Sequence, residues 1–472
     1  MALGRPQWFV VPPFLFLLLC SMTMPNHLSA VTITHLPGFL QGALPFSLET
    51  GYITVDEVYG VEFFYYFVES ERNSTVDPLV VWLNGGPGCS AFSGLALEIG
   101  PLKFKSEECN GSLPNLVYNP YTWTKFANII FLDSPVGTGF SFSHHPKGYE
   151  SSDKSWSKQT QVFLKKWLFE HQKFISNPLY IAGDSYAGKV VPVIVQLISE
   201  EKDFGMHPTF KLQGYMIGNP LTGDKIDCNA RIPFALGMGL ISEELFETVT
   251  KLCKGQNYQY PETALCASQI QIFEDFLSDI MWSHILESKC ALASSKPGNK
   301  VRERSMLMMQ ENSTILWRKP EVPDVKCRTY ANYLMYLWAN NAETRKALHV
   351  KKGTVKEWQR CNDDLAYTED VKSNMDYHIN ITTRGYRALV YSGDHDLLIP
   401  FVGTTEWIRS LGFPVLSQWR SWHVHGQVAG YTVFYSNNLT FATVKDGGHT
   451  APEFKPWECM NMVWRWMNNR PL

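Results

Sequence analysis

Ser185 sits in the run Leu179-Tyr-Ile-Ala-Gly-Asp-Ser-Tyr-Ala-Gly-Lys-Val-Val-Pro192, which reads as a strand, a sharp turn and a helix. Such a turn is a nucleophile elbow: it lifts a serine hydroxyl to the edge of a sheet and points the first peptide N–H groups of the helix at a developing oxyanion. Gly183 tolerates the backbone angles of the turn, and small Ala187 and Gly188 let the helix pack close to the sheet. The strict pattern is G-x-S-x-G, whereas here alanine fills the last position and the glycine comes one residue later. The serine therefore needs partners from elsewhere in the chain before it counts as a catalyst.

A serine near neutral pH needs a base to take its proton, and the base needs a group that fixes its tautomer. Behind a nucleophile elbow the chain order is serine, acid, histidine, with the acid and the histidine each on a loop after a strand. His449 follows Phe441-Ala-Thr-Val444 and the turn Asp446-Gly-Gly448, and is the expected base. Asp394 directly follows Leu389-Val-Tyr-Ser-Gly393 and is the expected orienting acid, in preference to Asp396 two residues further on. His423 and His425, beside Trp422 in a polar segment, read as structural or surface residues, and Asp446 reads as a turn residue. The turn Asn84-Gly-Gly-Pro-Gly88 comes straight after a buried-looking run, so the Gly86 N–H is expected to join that of Tyr186 in an oxyanion hole.

These residues are positioned by alternating strand and helix patterns. The segment 60–68 and the runs Leu79-Val-Val-Trp-Leu83, Asn128-Ile-Ile-Phe-Leu-Asp133, Leu212-Gln-Gly-Tyr-Met-Ile-Gly-Asn219, Tyr386-Arg-Ala-Leu-Val-Tyr-Ser-Gly393 and Leu439-Thr-Phe-Ala-Thr-Val444 read as strands, and 155–174 reads as an amphipathic helix. Strands alternating with helices imply a largely parallel sheet with crossovers. Between 232 and 288 the pattern turns helical and cysteine-rich before the strands resume, which marks an insertion. The expected organisation is a signal segment 1–30, a first core part 31–220, a helical insertion 221–341 and a second core part 342–472. Within the insertion, the polar, basic stretch 294–323 reads as an exposed loop and a proteolysis target, with excision of 294–319 left open.

The chain has 472 residues, 45% of them hydrophobic and 18% charged, enough for one large α/β domain with an insertion. A net charge of -3 without a clustered basic face argues against nucleic acid. Arg5, the apolar core Phe14-Leu-Phe-Leu-Leu-Leu19 and small residues near Ser29 and Ala30 form a cleavable secretory signal, after which no membrane association is expected. Nine of the ten cysteines lie beyond it, an odd number in scattered spacing that suits disulfides and lacks the paired clusters of a zinc site. No metal and no cofactor is expected. Sequons at Asn73, Asn110, Asn312, Asn380 and Asn438 complete the signature of a glycoprotein.

Together the blocks Val81-Trp-Leu-Asn-Gly-Gly-Pro-Gly-Cys-Ser90, Phe131-Leu-Asp-Ser-Pro-Val-Gly-Thr-Gly-Phe-Ser141, Ile181-Ala-Gly-Asp-Ser-Tyr-Ala-Gly188, Ser392-Gly-Asp-His-Asp396 and Gly447-Gly-His-Thr-Ala-Pro-Glu453 resemble the serine carboxypeptidases and their plant relatives, the serine carboxypeptidase-like acyltransferases. The resemblance implies an α/β-hydrolase fold, mostly parallel, with a helical insertion over the active site, and it carries the triad onto Ser185, Asp394 and His449. It also implies disulfides Cys89–Cys361, Cys253–Cys266 and Cys290–Cys327, and a vacuolar or extracellular location. In the family's peptidases a glutamate before the serine, a second glutamate and an asparagine hold the substrate's terminal carboxylate beside the glycine turn. Asn84, Gly85 and Glu98 match that substrate-binding set, but Asp184 stands where the first glutamate belongs, one methylene shorter.

Asp184 is similar to the acyltransferase branch, as are Asn229-Ala-Arg-Ile-Pro-Phe234, Gly237-Met-Gly-Leu-Ile-Ser242, Trp419-Arg-Ser-Trp422, Gly426-Gln-Val-Ala-Gly-Tyr431 and Phe441-Ala-Thr-Val-Lys445, whereas Asn84 and Ala187 match the peptidases. The expected activity is transfer of an acyl group from a 1-O-acyl glucose ester to a hydroxyl acceptor, with a serine-type carboxypeptidase as the alternative and a non-catalytic binding protein as a third reading. The protein is expected as a monomer or as a nicked two-chain form.

Overall fold

The structure, a computed structural model, describes residues 30–109, 111–203, 210–290 and 324–472. The signal segment up to residue 29, Asn110, Asn312 and the stretch 294–319 lie outside the described residues.

Twelve strands among the described residues form one sheet: β1 (Val31–Ile33), β2 (Leu48–Asp56), β3 (Val61–Val68), β4 (Leu79–Leu83), β5 (Asn128–Leu132), β6 (Phe142–Ser143), β7 (Leu179–Asp184), β8 (Leu212–Gly218), β9 (Arg387–Gly393), β10 (Val415–Val424), β11 (Gln427–Tyr435) and β12 (Leu439–Val444). Their order is β1-β2-β3-β5-β4-β7-β8-β9-β12-β11-β10, with β6 beside β3. The middle six, from β5 to β12, pair in parallel, and antiparallel strands extend the sheet on both sides. This is the α/β-hydrolase fold.

The strand pattern explains why the parallel core is buried on both faces. In β4, Val80 and Trp82 face one apolar layer while Leu79, Val81 and Leu83 face the other. The same division separates Tyr180 and Ala182 from Leu179 and Ile181 in β7, as the two-residue period of a strand requires. Helix α1 (Asp153–Glu170) presents Trp156, Phe163, Leu164 and Trp167 to the second layer. Its start is fixed by a capping box in which Ser152 and Ser155 each accept from the other's backbone N–H. Helix α2 (Ala187–Asp203) adds Val190, Val191, Ile194 and Ile198 to that layer, the spacing of one helix face. Each such burial stabilises the fold by about 1.5–3 kcal/mol relative to an exposed side chain.

Between β8 and β9 the described residues contain helices and no strand of this sheet. Among them α3 (Ile226–Asn229), α4 (Arg231–Gly237), α5 (Glu243–Leu252) and α6 (Ala264–Phe276) enclose a third, smaller core around Ile232, Phe234, Val249, Phe273 and the Cys253–Cys266 disulfide. Leu397 of the β9 loop belongs to this core, so the insertion is packed directly onto the loop that follows β9.

The hairpin β10–β11 is not signalled by the sequence patterns above. Val415, Leu416, Trp419, Tyr431 and Phe434 on it are exposed, because it lies at the sheet edge with one face in solvent. It therefore lacks the continuous apolar run that marks the central strands. His423 and His425 lie on this hairpin and its turn, the latter stacked on Trp457.

Candidate active site

Four loops at the C-terminal ends of the parallel strands β4, β7, β9 and β12 converge on Ser185. In an open parallel sheet this is where loops meet and ligands bind. Ser185 follows β7 directly and has φ of 54°, a left-handed angle that a residue with a side chain rarely adopts. Hydrogen bonds on both sides hold it there: its N–H donates to Gly218 O at 2.9 Å, and its carbonyl accepts from Gly188 at 2.9 Å and from Leu221 at 3.0 Å. The altered elbow pattern is resolved by packing. A side chain on Gly183 would meet Leu83 O and the Ala187 methyl, while one on Gly188 would meet Pro220. Alanine therefore fits at 187, and glycine is needed one residue later.

His449 Nε2 lies 2.8 Å from Ser185 Oγ, and His449 Nδ1 lies 2.8 Å from Asp396 Oδ2. The fully buried Asp396 accepts three more hydrogen bonds, from Asn219 Nδ2 at 2.8 Å, Leu398 N–H at 2.8 Å and Ile399 N–H at 3.3 Å. With its carboxylate anchored on Nδ1–H, the neutral imidazole presents Nε2 as an acceptor to the serine. Burial opposes a charge on His449, but the Asp396 carboxylate and, further off, Asp184 outweigh it and leave the imidazole pKa above its ordinary value.

Asp394, the acid expected from sequence, does not touch His449. Its N–H joins Val444, and its carboxylate accepts from the Asp446 N–H at 2.7 Å and lies 2.6 Å from His395 Nδ1. It fixes the turn that carries the histidine. The chain bends after Gly393, so the first residue beyond the strand faces the neighbouring loop and the third turns back into the cleft. Asn219, which steadies Asp396, was also missed as a site residue. The signal for Asp396 lies in its own surroundings, since it bonds the N–H groups two and three residues on.

The insertion completes this arrangement. Ser283 O accepts the His449 N–H at 2.7 Å, Trp282 O accepts the Leu397 N–H at 2.9 Å, and His395 O accepts the Ile285 N–H at 3.0 Å.

Opposite the triad, the turn after β4 lies against the elbow. A side chain on Gly85 would fall 2.6 Å from Tyr186 N and 2.7 Å from Ser185 Cβ, so only glycine permits this approach. Gly86 is exposed, with φ of 115°, and neither its N–H nor that of Tyr186 donates to a backbone carbonyl among the described residues.

Asn84, Glu98 and Asp184 come together beside this turn, all buried. Asn84 Nδ2 donates to Glu98 Oε1 at 2.9 Å and more weakly to Asp184 Oδ1 at 3.4 Å, while Asn84 Oδ1 accepts the Gly94 N–H. A helical turn, Gly94–Glu98, with a bond from Ile99 N–H to Gly94 O five residues back, brings Glu98 to face Asn84. Burial, with Asp184 and Glu453 nearby, pushes the Glu98 carboxyl well above its usual range. Burial also raises Asp184 to about 6, against the opposing pull of His449 and the Gly85 N–H. Glu453, four residues after His449 and also raised by burial, is a third acid at this end of the cleft. Glu98 Oε2 is buried with no hydrogen-bond partner among the described residues.

Disulfides join Cys89 to Cys361, Cys253 to Cys266 and Cys290 to Cys327, leaving Cys109, Cys228 and Cys459 as the free thiols among the described residues. Asn73, Asn380 and Asn438 are exposed. Among the described residues no group of acidic, histidine and cysteine side chains is arranged to hold a metal ion, and no helix is long and apolar enough to cross a membrane.

The serine carboxypeptidase family profile matches residues 37–469. This chain belongs to the serine carboxypeptidase family. It is 47% identical over 445 residues to serine carboxypeptidase-like 2 of Arabidopsis thaliana, covering 94% of each chain. Serine carboxypeptidase-like 19 of the same plant is 43% identical over 468 residues, covering 97% of this chain and 99% of the relative. The crystal structure of Kex1(delta)p, a prohormone-processing carboxypeptidase from Saccharomyces cerevisiae, superposes with a TM-score of 0.72 over 93% of this chain and 95% of the yeast chain. At 19% identity that likeness speaks for the fold. The protein is thus a serine carboxypeptidase-like enzyme with an α/β-hydrolase core.

Proposed function

We propose that this protein is an acyltransferase that moves an acyl group from a 1-O-acyl glucose ester to a hydroxyl acceptor, through an ester on Ser185. Ser185 Oγ attacks the acyl carbon while His449 Nε2 takes its proton, and Asp396 stabilises the imidazolium. The oxyanion lies between the N–H groups of Gly86 and Tyr186. The bond from carbon to glucose oxygen breaks, and His449 returns the proton to that oxygen. An acceptor hydroxyl then loses its proton to His449 and attacks the acyl carbon; Ser185 leaves and is reprotonated. Transfer outruns hydrolysis when the acceptor is well placed, since positioning is equivalent to about 10⁵–10⁸ M of reactant.

The observation that supports a sugar-ester donor is the buried acid group of Asp184, Glu98 and Asn84 beside the serine. Asp184 is one methylene shorter than the glutamate of the peptidase set and reaches Asn84 only at 3.4 Å, so the hold on a terminal carboxylate is loosened. A glucose leaving group is neutral and needs no such hold, and its hydroxyls donate to the Asp184 carboxylate. The hydrogen bond from Asn84 to Glu98 favours the second reading, a carboxypeptidase, because it keeps the asparagine of the peptidase set in place. The disulfides and the exposed sequons suit the secretory pathway, with a vacuolar or extracellular destination.

The test is to incubate the purified glycoprotein with acyl glucoses, acceptor alcohols and blocked dipeptides. Ester product and free glucose are expected in equal amounts. Release of free amino acid far faster than ester formation would overturn the transferase reading. A folded protein whose Ser185 resists a fluorophosphonate probe would instead be a non-catalytic binding protein.

A further inference from the structure

Both expected oxyanion donors, Gly86 and Tyr186, are tied to a single stretch of chain far from either in sequence. Residues 360–362 grip the glycine turn. Ser90 N–H donates to Arg360 O at 2.7 Å, Asn362 N–H donates to Gly88 O at 2.9 Å, and Cys361 is bonded to Cys89 between them. The Cys89 N–H in turn closes the turn on Gly85 O at 3.1 Å. Asn362 Nδ2 donates to Gly137 O at 2.9 Å, and Leu365 packs so closely that a side chain on Gly88 would lie 2.5 Å from its methyl.

The same stretch then reaches the other donor. Tyr367–Thr368 pairs in parallel with Ser151–Ser152, just before α1, and brings three groups to Asp153 and Lys189. Tyr367 OH donates to Asp153 Oδ1 at 2.8 Å, Val371 N–H donates to Asp153 Oδ2 at 2.8 Å, and Glu369 lies 3.1 Å from Lys189 Nζ. Asp153 Oδ1 also accepts Tyr186 OH at 2.7 Å, and Lys189 Nζ lies 3.4 Å from both that hydroxyl and Asp153 Oδ2. The Tyr186 ring is stacked at 11° on Trp156 and edge-on, at 83°, to Tyr367. Asp153 is fully buried and Lys189 is 1% exposed. Burying a pair of charges costs more than an apolar contact in the same place unless each is well bonded. Here every bond of the pair leads to Tyr186, to the segment that grips the glycine turn, or to the helix between them.

We propose that residues 360–371 are a brace that sets the two oxyanion N–H groups relative to each other, with Asp153 the positioning residue that transmits it to Tyr186. A tyrosine pinned at its hydroxyl and packed against Trp156 and Tyr367 has little freedom to rotate its own peptide plane. The Tyr186 N–H is therefore held where the oxyanion forms. The inference rests on the acyl-Ser185 reading above.

The test uses Tyr186→Phe and Tyr367→Phe in the full protein, with melting temperature as the check on folding. The readouts are the rate of fluorophosphonate labelling, affinity for an arylboronic acid that forms a tetrahedral adduct on Ser185, and the split between kcat and KM for an acyl glucose. Outright loss of one oxyanion donor costs about 10²–10³ in kcat, so its misplacement is expected to cost about tenfold. Labelling, boronate affinity and kcat should fall together while KM stays level. Should Tyr186→Phe fail to fold, Tyr367→Phe decides alone, since it leaves the Tyr186 hydroxyl bond to Asp153 in place. Wild-type values in the folded variants, beside a wild-type protein that labels, overturn the brace. A wild-type protein that does not label overturns the acyl-Ser185 reading itself.

Discussion

Asp394 and Asp396 are two residues apart and make unrelated contacts, so replacing each by asparagine separates their work. Asp396→Asn leaves the shape but loses the charge that fixes the His449 tautomer, and a fall in kcat of about 10⁴ is expected, as for the orienting acid of other serine triads. Asp394→Asn keeps an oxygen for the Asp446 N–H, and less than about a tenfold loss is expected, since no hydrogen bond to the triad is touched. Steady-state kinetics on one acyl donor checks both, and an equal loss in the two variants would return Asp394 to the triad. His449 also sets a pH limb. Its pKa is raised from 6.5, and only the neutral imidazole takes the serine proton, so labelling of Ser185 should rise with pH through an apparent pKa above 6.5. In Asp396→Asn that limb should move to lower pH, because the carboxylate that favours the imidazolium is gone; an unmoved limb assigns the titration to another group. Ser185 and His449 were legible in the sequence because each stands in a short run bounded by glycines. The acid was not: choosing between two aspartates needs the path of the chain after Gly393, which depends on the insertion packed against Leu397.

Among the elements, the turn after β4 is the one whose backbone must come closest to the nucleophile. Gly85→Ala places a methyl 2.6 Å from Tyr186 N and 2.7 Å from Ser185 Cβ, and both neighbours are backbone or backbone-bound atoms that cannot swing aside. The turn has to retreat, taking the Gly86 N–H with it. Fluorophosphonate labelling is expected to slow by about 10² or more, the cost of losing one oxyanion donor, with a melting temperature reduced by no more than a few degrees. Labelling at the wild-type rate would show that the glycine turn takes no part in the chemistry. The central strands were readable because burial on both faces gives them unbroken apolar runs, as in β4 and, beyond Asn128, in β5. The edge hairpin β10–β11 was not, because its exposed face carries Trp419 and Tyr431 stacked on each other among polar residues, a pattern without the period of a half-buried strand. The three-way link among Asp153, Lys189 and residues 367–371 also left no local trace, since its members are separated by up to 218 positions.

At the scale of the whole molecule, the triad is divided between two stretches of chain that meet only through the fold. Ser185 lies before the insertion, and Asp396 and His449 lie after it. The two stretches are joined by the parallel pairing of β8 with β9, by the Cys89–Cys361 disulfide and by the Cys290–Cys327 disulfide. A cut anywhere between residues 291 and 326 therefore leaves every described strand of the sheet intact and two covalent links across the break. Limited proteolysis in the basic stretch 294–319 is expected to give a protein that runs as one species without reductant and as two chains with it. Labelling of Ser185 should stay within about twofold of the uncut protein, because the hydrogen bonds from His449 to Ser185 and Asp396 do not pass through the cut. Reduction under native conditions should then cost the cut protein far more activity than the uncut one, since only noncovalent contacts would hold its halves together. Equal loss in both forms would mean that the sheet pairing alone keeps the two parts of the site in register.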